Sequence, residues 1–318
     1  MKFKVSRSFA NLEICLVMNI IFMGTPEFAV PSLEILLKNG YHISAVITAP
    51  DKPGGRQGIQ QSAVKLFALE HDLPVLQPAK LKDPEFLETL RSLKADLQVV
   101  VAFRMLPEVV WDMPPKGTMN LHGSLLPKYR GAAPINWAVI NGEKETGVTT
   151  FLLQHEIDTG DLLFQEKTAI GENETAGEVY ERLMHIGAEL VLASVRAIEK
   201  GEVVLKPQEN TEASHAPKIH TETCRIDFNQ SSYDVHNFIR GLSPFPGAWT
   251  MLGDKTLKIL RSEVDKEGNT SKSPGEFVKE GNKTLKVSTK DGYLKVIELQ
   301  LQGKRRMTAA EFINGRHI

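Results

Sequence analysis

Cysteine is almost absent from this chain of 318 residues, and the two that occur, Cys15 and Cys224, lie far apart. They form neither a CxxC pair nor a Cys/His cluster, so the sequence predicts no disulfide framework and no zinc site. No apolar run reaches the roughly 18 residues that a membrane-spanning helix needs. We therefore expect a cytoplasmic protein that uses no metal and contacts no membrane.

The chain also lacks a strong net charge, internal repeats and low-complexity segments. Its formal net charge is −1, with 42% hydrophobic and 24% charged residues, which is typical of a globular protein of two domains. The charge is uneven, since residues 1–205 hold 20 basic and 25 acidic side chains and residues 206–318 hold 18 and 14. The basic second part indicates an anionic partner, although ordinary surface variation explains the same imbalance.

The GxGxxG fingerprint of dinucleotide-binding folds is missing, although the chain opens as such a fold does. Residues 19–23 form a short apolar strand, residues 24–26 suit a turn into a helix, and residues 43–47 predict the next strand. Residues 97–103 are nearly continuously apolar, as expected for a central parallel strand. We predict a doubly wound α/β domain with a mainly parallel, Rossmann-like sheet over residues 18–205.

Composition and turn signals divide the rest of the chain. Residues 1–17 are interpreted as an upstream extension, because they precede the first strand and lack a signal-peptide core. A polar stretch with Pro207 and Pro217 predicts a linker over residues 206–220. Beyond it, five short strands separated by turn residues predict a small OB-like β-barrel domain over residues 221–318, a fold that often binds oligonucleotides.

Three residues carry the chemistry that the sequence indicates. Asn120 and His122 stand two apart, so on a strand their side chains share one face. An amide can donate to a carbonyl oxygen, an imidazole moves protons near neutral pH, and a carboxylate such as Asp158 can orient it. At the carboxyl edge of a parallel sheet, this trio predicts metal-free transfer or hydrolysis at a carbonyl. Taken singly, the same residues are ordinary polar groups at a strand end and in a turn.

These residues resemble the 10-formyltetrahydrofolate-dependent formyltransferases. The resemblance covers about residues 18–316 and is carried by FMGTPEFA at 22–29, PDKP at 50–53, NLHGSLLPKYRGAAP at 120–134 and DTGD at 158–161. It is strongest to members that formylate methionine on initiator tRNA. It implies transfer of a formyl group from 10-formyltetrahydrofolate to the α-amino group of that methionine, in support of translation initiation. The expected partners are initiator methionyl-tRNA and the folate, and we expect a monomer without an obligate protein partner.

The resemblance also implies a role for each matched residue. Asn120 would hydrogen-bond the formyl oxygen, His122 would stabilise the tetrahedral intermediate and shuttle protons, and Asp158 would orient His122 and manage the proton lost by the amine. The implied folate-binding segment consists of Ser124, Leu125, Leu126 and Pro127. The resemblance places a tRNA contact at Arg56, and the charge pattern adds the basic segment, which we define as Lys304, Arg305 and Arg306.

Two positions depart from the family pattern, and four alternatives stay open. Gln57 and Gly58 follow Arg56 where further basic residues are common, and Phe103-Arg104 stands where Tyr-Gly is more usual. A nucleotide-sugar amine or glycinamide ribonucleotide formyltransferase would share the trio, but the strand-rich second domain disfavours both. An NAD-dependent oxidoreductase would need the missing glycine fingerprint. A noncatalytic RNA-binding module would leave the trio unexplained.

Overall fold

The computed structural model describes residues 18–54, 58–156, 158–266 and 271–316, so the predicted extension 1–17 and Arg56 lie outside it. In chain order, the strands of the first domain are β1 (Asn19–Gly24), β2 (His42–Ile47), β3 (Lys52–Pro53), β4 (Ile59–Gln60), β5 (Val75–Leu76), β6 (Leu97–Val101), β7 (Thr118–His122), β8 (Arg130–Gly131), β9 (Glu145–Leu152) and β10 (Leu162–Ala169). Its helices are α1 (Val30–Lys38), α2 (Ala63–Glu70), α3 (Pro84–Ser92), α4 (Glu108–Trp111), α5 (Pro134–Ile140) and α6 (Ala176–Lys200).

Seven of these strands form one sheet in the order β10-β9-β7-β6-β1-β2-β5. β1, β2, β5, β6 and β7 are parallel, while β9 and β10 run antiparallel at one edge. The chain moves outward from β1 to β2 and β5, then returns to β6 on the other side of β1. The predicted doubly wound, mainly parallel α/β domain is confirmed, and its topological switch lies between β1 and β6.

The period-two alternation of β1 builds a hydrophobic core on each face of this sheet. Ile20 and Phe22 belong to the cluster that α1 and α6 cover, whereas Ile21 and Met23 belong to a second cluster that includes Leu90 of α3. All four β1 side chains are fully buried. Burial on both faces explains why the parallel strands read as continuous apolar runs in the sequence.

The second domain is built from antiparallel strands. After β11 (His215–Ala216) and α7 (Ser232–Gly241), its elements are β12 (Ala248–Leu252), β13 (Lys255–Asp265), β14 (Phe277–Glu280), β15 (Thr284–Ser288), β16 (Tyr293–Leu301), β17 (Met307–Thr308) and α8 (Ala309–Asn314). The strand path is β12-β13-β16-β15-β14, with β17 beside β16. The antiparallel, strand-rich domain is confirmed, and among the described residues its path stays open, because β12 and β14 are not paired.

The two domains pack against each other through α5 and α7. Asn136 Nδ2 donates to the carbonyl of Gly241 at 2.8 Å. Arg240, which is only 2% exposed, donates to the carbonyls of Gly171 and Glu174 at 3.2 and 3.0 Å, and burial lowers its pKa. A buried guanidinium that lost these carbonyl partners would be left without hydrogen bonds at a high cost in free energy, so these contacts stabilise the interface. No helix in the described ranges has the length and hydropathy of a membrane span.

Candidate active site

The end of β7 carries two of the three predicted catalytic residues. Asn120 and His122 lie on one face of the strand, and Leu121 between them belongs to the core on the opposite face. Gly187 of α6 makes room for Leu121, because a Cβ at that position would lie 2.7 Å from Leu121 Cδ2. The strand therefore directs the amide and the imidazole to the same side, as the spacing predicts.

Asn120 has an uncommitted side chain. Its backbone pairs in register with Val100 of β6 and Phe151 of β9, so its position within the sheet is fixed. The side-chain amide is half-buried and makes no hydrogen bond to any residue in the described part of the chain. An amide that is fixed in place but has no partner can donate to a ligand without first breaking an internal bond.

His122 is buried, at 6% exposure, and its two ring nitrogens have different surroundings. Nε2 lies 2.8 Å from the carbonyl oxygen of Tyr129, and Nδ1 lies 3.8 Å from Asp158 Oδ2. Because a carbonyl oxygen only accepts, Nε2 carries a proton in this geometry. Nδ1 takes no part in that bond and faces the Asp158 carboxylate at 3.8 Å, which is longer than a hydrogen bond.

Asp158 lies in the turn between β9 and β10, in the left-handed region at φ +54°. Its Oδ2 also accepts a hydrogen bond from the backbone N–H of Gly131 at 2.9 Å. Gly131 itself has φ +122°, and a Cβ there would lie 2.7 Å from the carbonyl oxygen of Ala216. Only glycine fits at that point, where β8 pairs closely with β11. The pairing of the two strands fixes the position of the Gly131 N–H that holds the Asp158 carboxylate.

Tyr129 fixes the other side of the imidazole. Its backbone is left-handed at φ +60°, which turns its carbonyl toward His122, and its N–H donates to Ser214 Oγ at 2.9 Å. The phenol donates to Glu143 Oε1 at 2.7 Å. Burial together with the Glu143 carboxylate raises the pKa of Tyr129 to about 12, so the phenol stays a neutral donor.

The predicted folate segment, residues 124–127, is locked by internal hydrogen bonds and contains a cis peptide bond before Pro127. Ser124 Oγ donates to the carbonyl of Lys128 at 2.6 Å. Thr149 Oγ1 donates to the Ser124 carbonyl at 2.6 Å and accepts from the Leu126 N–H at 3.1 Å. Gln165 Nε2 donates to the Leu126 carbonyl at 2.8 Å. These bonds hold the backbone of residues 124–127 in place.

Residues 206–217, predicted as part of a linker, run across the site, and we name them the strap. Arg130 N–H donates to the Ser214 carbonyl at 2.9 Å, in line with the pairing of β8 and β11. Gln208 Nε2 donates to the carbonyls of Asp158 and Gly160 at 2.9 and 2.8 Å. Sequence reasoning missed the strap, because nothing in its pattern distinguishes Gln208 from other polar residues between domains.

The departure at Arg104 has a structural consequence. Its guanidinium donates to the carbonyls of Pro78 and Ala79 and lies 5.6 Å from the centroid of the Phe103 ring. Burial lowers the pKa of Arg104. The side chain thus joins the loop after β6 to the loop after β5, at the carboxyl edge of the sheet. An open cleft of about 340 Å³ borders the Asp158 turn on the side of Trp111.

The basic segment lies apart from these residues and is exposed. Arg305 Nη2 pairs with Glu311 Oε1 at 2.7 Å, and Arg306 Nε pairs with Glu298 Oε1 at 3.5 Å. Two of the three residues of the basic segment therefore already have acidic partners within the fold. The roles of these residues and of Arg56 stay predictions.

Comparisons with known proteins agree with this architecture. A family model described as formyl transferase matches residues 18–195, and one described as formyl transferase, C-terminal domain, matches residues 218–317. The methionyl-tRNA formyltransferase of Bacteroides fragilis is 52% identical over 311 residues, which cover 95% of this chain and 96% of that protein. The methionyl-tRNA formyltransferase of Flavobacterium johnsoniae is 49% identical over 304 residues, which cover 94% and 96%.

Solved structures share the fold at lower identity. The sugar 3N-formyl transferase WlaRD, crystallised in the presence of 5-N-formyl-THF, has a TM-score of 0.67 at 23% identity and covers 91% of this chain and 99% of that chain. Glycinamide ribonucleotide transformylase 1 from Symbiobacterium toebii has a TM-score of 0.52 at 16% identity and covers 61% and 95%. The smaller coverage of the second structure leaves much of this chain without a counterpart there.

Proposed function

The chain belongs to the formyl transferase family, and we propose that it transfers the formyl group of 10-formyltetrahydrofolate to the α-amino group of methionine on initiator tRNA. The observation that carries this proposal is identity of about 50% to methionyl-tRNA formyltransferases across both domains. The sugar and glycinamide ribonucleotide enzymes support the fold alone, at 23% and 16% identity. The proposed reaction supports translation initiation in the cytoplasm, where charged initiator tRNA is found.

Asn120 is proposed to stabilise the negative charge that develops on the formyl oxygen. Its amide is held at a fixed point of β7 and has no partner among the described residues, so it can donate as soon as a carbonyl arrives. A preorganised donor of this kind contributes roughly 3–4 kcal/mol to lowering the barrier. The donor molecule supplies an activated formyl group, and the chain supplies this hydrogen bond.

His122 and Asp158 are proposed to manage the proton of the attacking amine. With Nε2–H committed to the Tyr129 carbonyl, proton exchange is left to Nδ1, which faces Asp158 Oδ2 at 3.8 Å. The carboxylate stabilises positive charge on the ring and keeps the side chain of His122 in one orientation. The amine attacks the formyl carbon directly, so no serine or cysteine nucleophile is needed. The bond from that carbon to N10 of the folate then breaks, and N10 takes up a proton as the amine loses one.

The segment Ser124–Pro127 is proposed to bind the folate. Its support is the set of hydrogen bonds by which Thr149 and Gln165 hold its backbone in place. A preformed segment loses little conformational entropy on binding, which favours affinity for a flat, rigid heterocycle. The half-buried side chains of Leu125 and Pro127 offer it apolar surface.

The second domain, with its excess of basic residues, is proposed to bind the tRNA body through phosphate contacts.

Asn120, His122 and Asp158 all come from one chain, so a single chain forms a complete site. We therefore propose a monomer, which light scattering of the purified protein with and without tRNA would check.

The proposal is tested by measuring transfer of a labelled formyl group from 10-formyltetrahydrofolate to three acceptors. These are methionine-charged initiator tRNA, an amino-sugar nucleotide and glycinamide ribonucleotide. Of the three acceptors, we expect only the charged tRNA to give product. Uncharged tRNA should give none, because it lacks the α-amino group of methionine that acts as the nucleophile. Faster transfer to either small acceptor than to the tRNA would contradict the proposal.

A further inference from the structure

Gln208 is the one half-buried residue of the run 206–210, and all four hydrogen-bonding positions of its side-chain amide are used. Both protons of Nε2 go to backbone carbonyls, those of Asp158 at 2.9 Å and Gly160 at 2.8 Å. Oε1 accepts twice from Arg130, from Nε at 3.1 Å and from Nη2 at 2.7 Å. Holding this amide with all its hydrogen-bonding positions used costs free energy, because the amide loses its water and its rotamer freedom. A segment that only connects two domains has no need of such an arrangement.

The two loops that Gln208 joins are the loops that place Asp158. One is the turn of Asp158 itself, which holds a left-handed aspartate at φ +54°. The other contains Gly131, whose N–H holds Asp158 Oδ2 at 2.9 Å, immediately after Arg130. Gln208 thus holds the backbone of the Asp158 turn, and the Gly131 N–H holds the Asp158 carboxylate itself. We expect the loss of either contact to let the Asp158 carboxylate move relative to His122.

We propose that Gln208 is a positioning residue for the proposed formyl transfer, acting through Asp158. The two N–H donors of its amide draw two carbonyls of one turn to a single point, and this keeps the Asp158 carboxylate facing His122 Nδ1. This inference rests on the proposed function for its kinetic meaning. Through Gln208, the strap would then contribute to the proposed active site of the first domain, although it leads to the second domain.

The decisive variant is Gln208→Glu. It keeps the length of the side chain and an acceptor for Arg130, but it removes both donors and places a carboxylate against two carbonyl oxygens. We expect kcat to fall about tenfold, since displacement of a catalytic group by a fraction of an ångström has effects of this size. KM for the folate and for the charged tRNA should stay within about twofold, because Gln208 is proposed to touch neither.

Asn210→Asp is the matched control. Asn210 Oδ1 accepts from the same Arg130, at 3.0 Å, and the substitution introduces the same carboxylate two residues further along the strap. Among the described residues, the Asn210 side chain has no hydrogen bond to the Asp158 turn, so kcat should stay within about twofold of the wild-type value. An equal loss of kcat in both variants would mean that charge in the strap, rather than the position of Asp158, causes the effect, and would overturn the proposal.

A second measurement separates positioning from general stability. In an Asp158→Ala background, measured with enzyme in excess over tRNA, Gln208→Glu should cause no further loss of rate, because the two residues act as one unit. A further tenfold loss in that background would show that Gln208 acts independently of Asp158 and would overturn the proposal. So would wild-type kcat in the single Gln208→Glu variant.

Amide hydrogen exchange gives a readout that does not depend on the proposed reaction. Exchange over residues 158–161 should become at least about tenfold faster in Gln208→Glu and stay unchanged in Asn210→Asp. Unchanged exchange in Gln208→Glu would overturn the positioning role. Absence of formyl transfer to charged tRNA by the wild-type protein, with the exchange difference present, would instead overturn the proposed function and leave the positioning of Asp158 established.

Discussion

The surroundings of the proposed catalytic residues and the basic segment are organised in opposite ways. Next to each other in the fold, His122 is buried and Asp158 is half-buried, and backbone groups hold both: the Tyr129 carbonyl holds His122, and the Gly131 N–H holds Asp158. In the basic segment, Arg305 and Arg306 are exposed and paired with Glu311 and Glu298 close by on the surface. Buried, hydrogen-bonded groups cannot change partners without cost, whereas exposed ion pairs contribute little and exchange partners readily.

This difference predicts which kinetic constant each region controls. A site whose donors are fixed before substrate arrives acts on the transition state, so damage to it lowers kcat. A surface whose cations already have acidic partners must exchange them for phosphates, so changes there alter KM for tRNA and its salt dependence. Variants of the trio, of the basic segment and of Arg56 test that division.

The largest effect is expected in the trio. Asn120→Ala, His122→Ala and Asp158→Ala should each lower kcat by about two orders of magnitude or more while the proteins stay folded. The losses should be far from additive, because the three residues act on one reacting centre. Single-turnover rates with charged tRNA and circular dichroism of each variant measure both points.

His185→Ala provides the control for the trio. His185 is exposed on α6, so this substitution removes an imidazole from the surface, away from the proposed site. Its kcat should equal that of the wild type. A near-normal kcat of His122→Ala at neutral pH would show that the mechanism proposed for the imidazole is wrong.

A smaller effect is expected in the basic segment. Replacing Lys304, Arg305 and Arg306 together by alanine should raise KM for tRNA and lower the slope of its salt dependence by at most about 3, with kcat nearly unchanged. Glu311→Gln sharpens the test, because glutamine keeps the capping box of α8 but releases Arg305. This variant should lower KM for tRNA if Arg305 binds phosphate.

The salt series for wild type, the triple variant and Glu311→Gln measures these changes directly. An unchanged slope in the triple variant would mean that the basic segment is only a solvated face. The tRNA body would then have to be held by another surface of the protein.

The smallest effect is expected at Arg56, a single predicted contact outside the described residues. Arg56→Ala should weaken formylation of charged tRNA severalfold through KM and leave folate binding intact, since one phosphate contact corresponds to about one unit of salt slope. Arg91→Ala, which removes one exposed positive charge from α3, is the control for charge alone. Equal loss of tRNA and folate affinity in Arg56→Ala would assign Arg56 to the active-site framework instead.

The sequence predicted those parts of the fold and of the site whose pattern lies within a few neighbouring residues. The strands of the parallel sheet are buried on both faces and read as apolar runs, and the two-residue spacing of Asn120 and His122 placed both on one face of β7. The contacts that hold Asp158 gave no such signal. β8 and β11 are two residues long, too short for periodicity, and Gln208 reaches Asp158 across 50 positions of the chain.

The pairing of β8 with β11 also decides where this chain can be divided. A fragment that stops at residue 205 would leave the N–H groups of Arg130 and Ala132 without the carbonyls of Ser214 and Ala216. A fragment that continues through Pro217 keeps both bonds and Gln208 as well. The junction should therefore lie after Pro217 when second domains are exchanged between relatives or when the two halves are expressed as separate polypeptides. The strap then stays with the first domain, whose Asp158 turn and β8 it contacts.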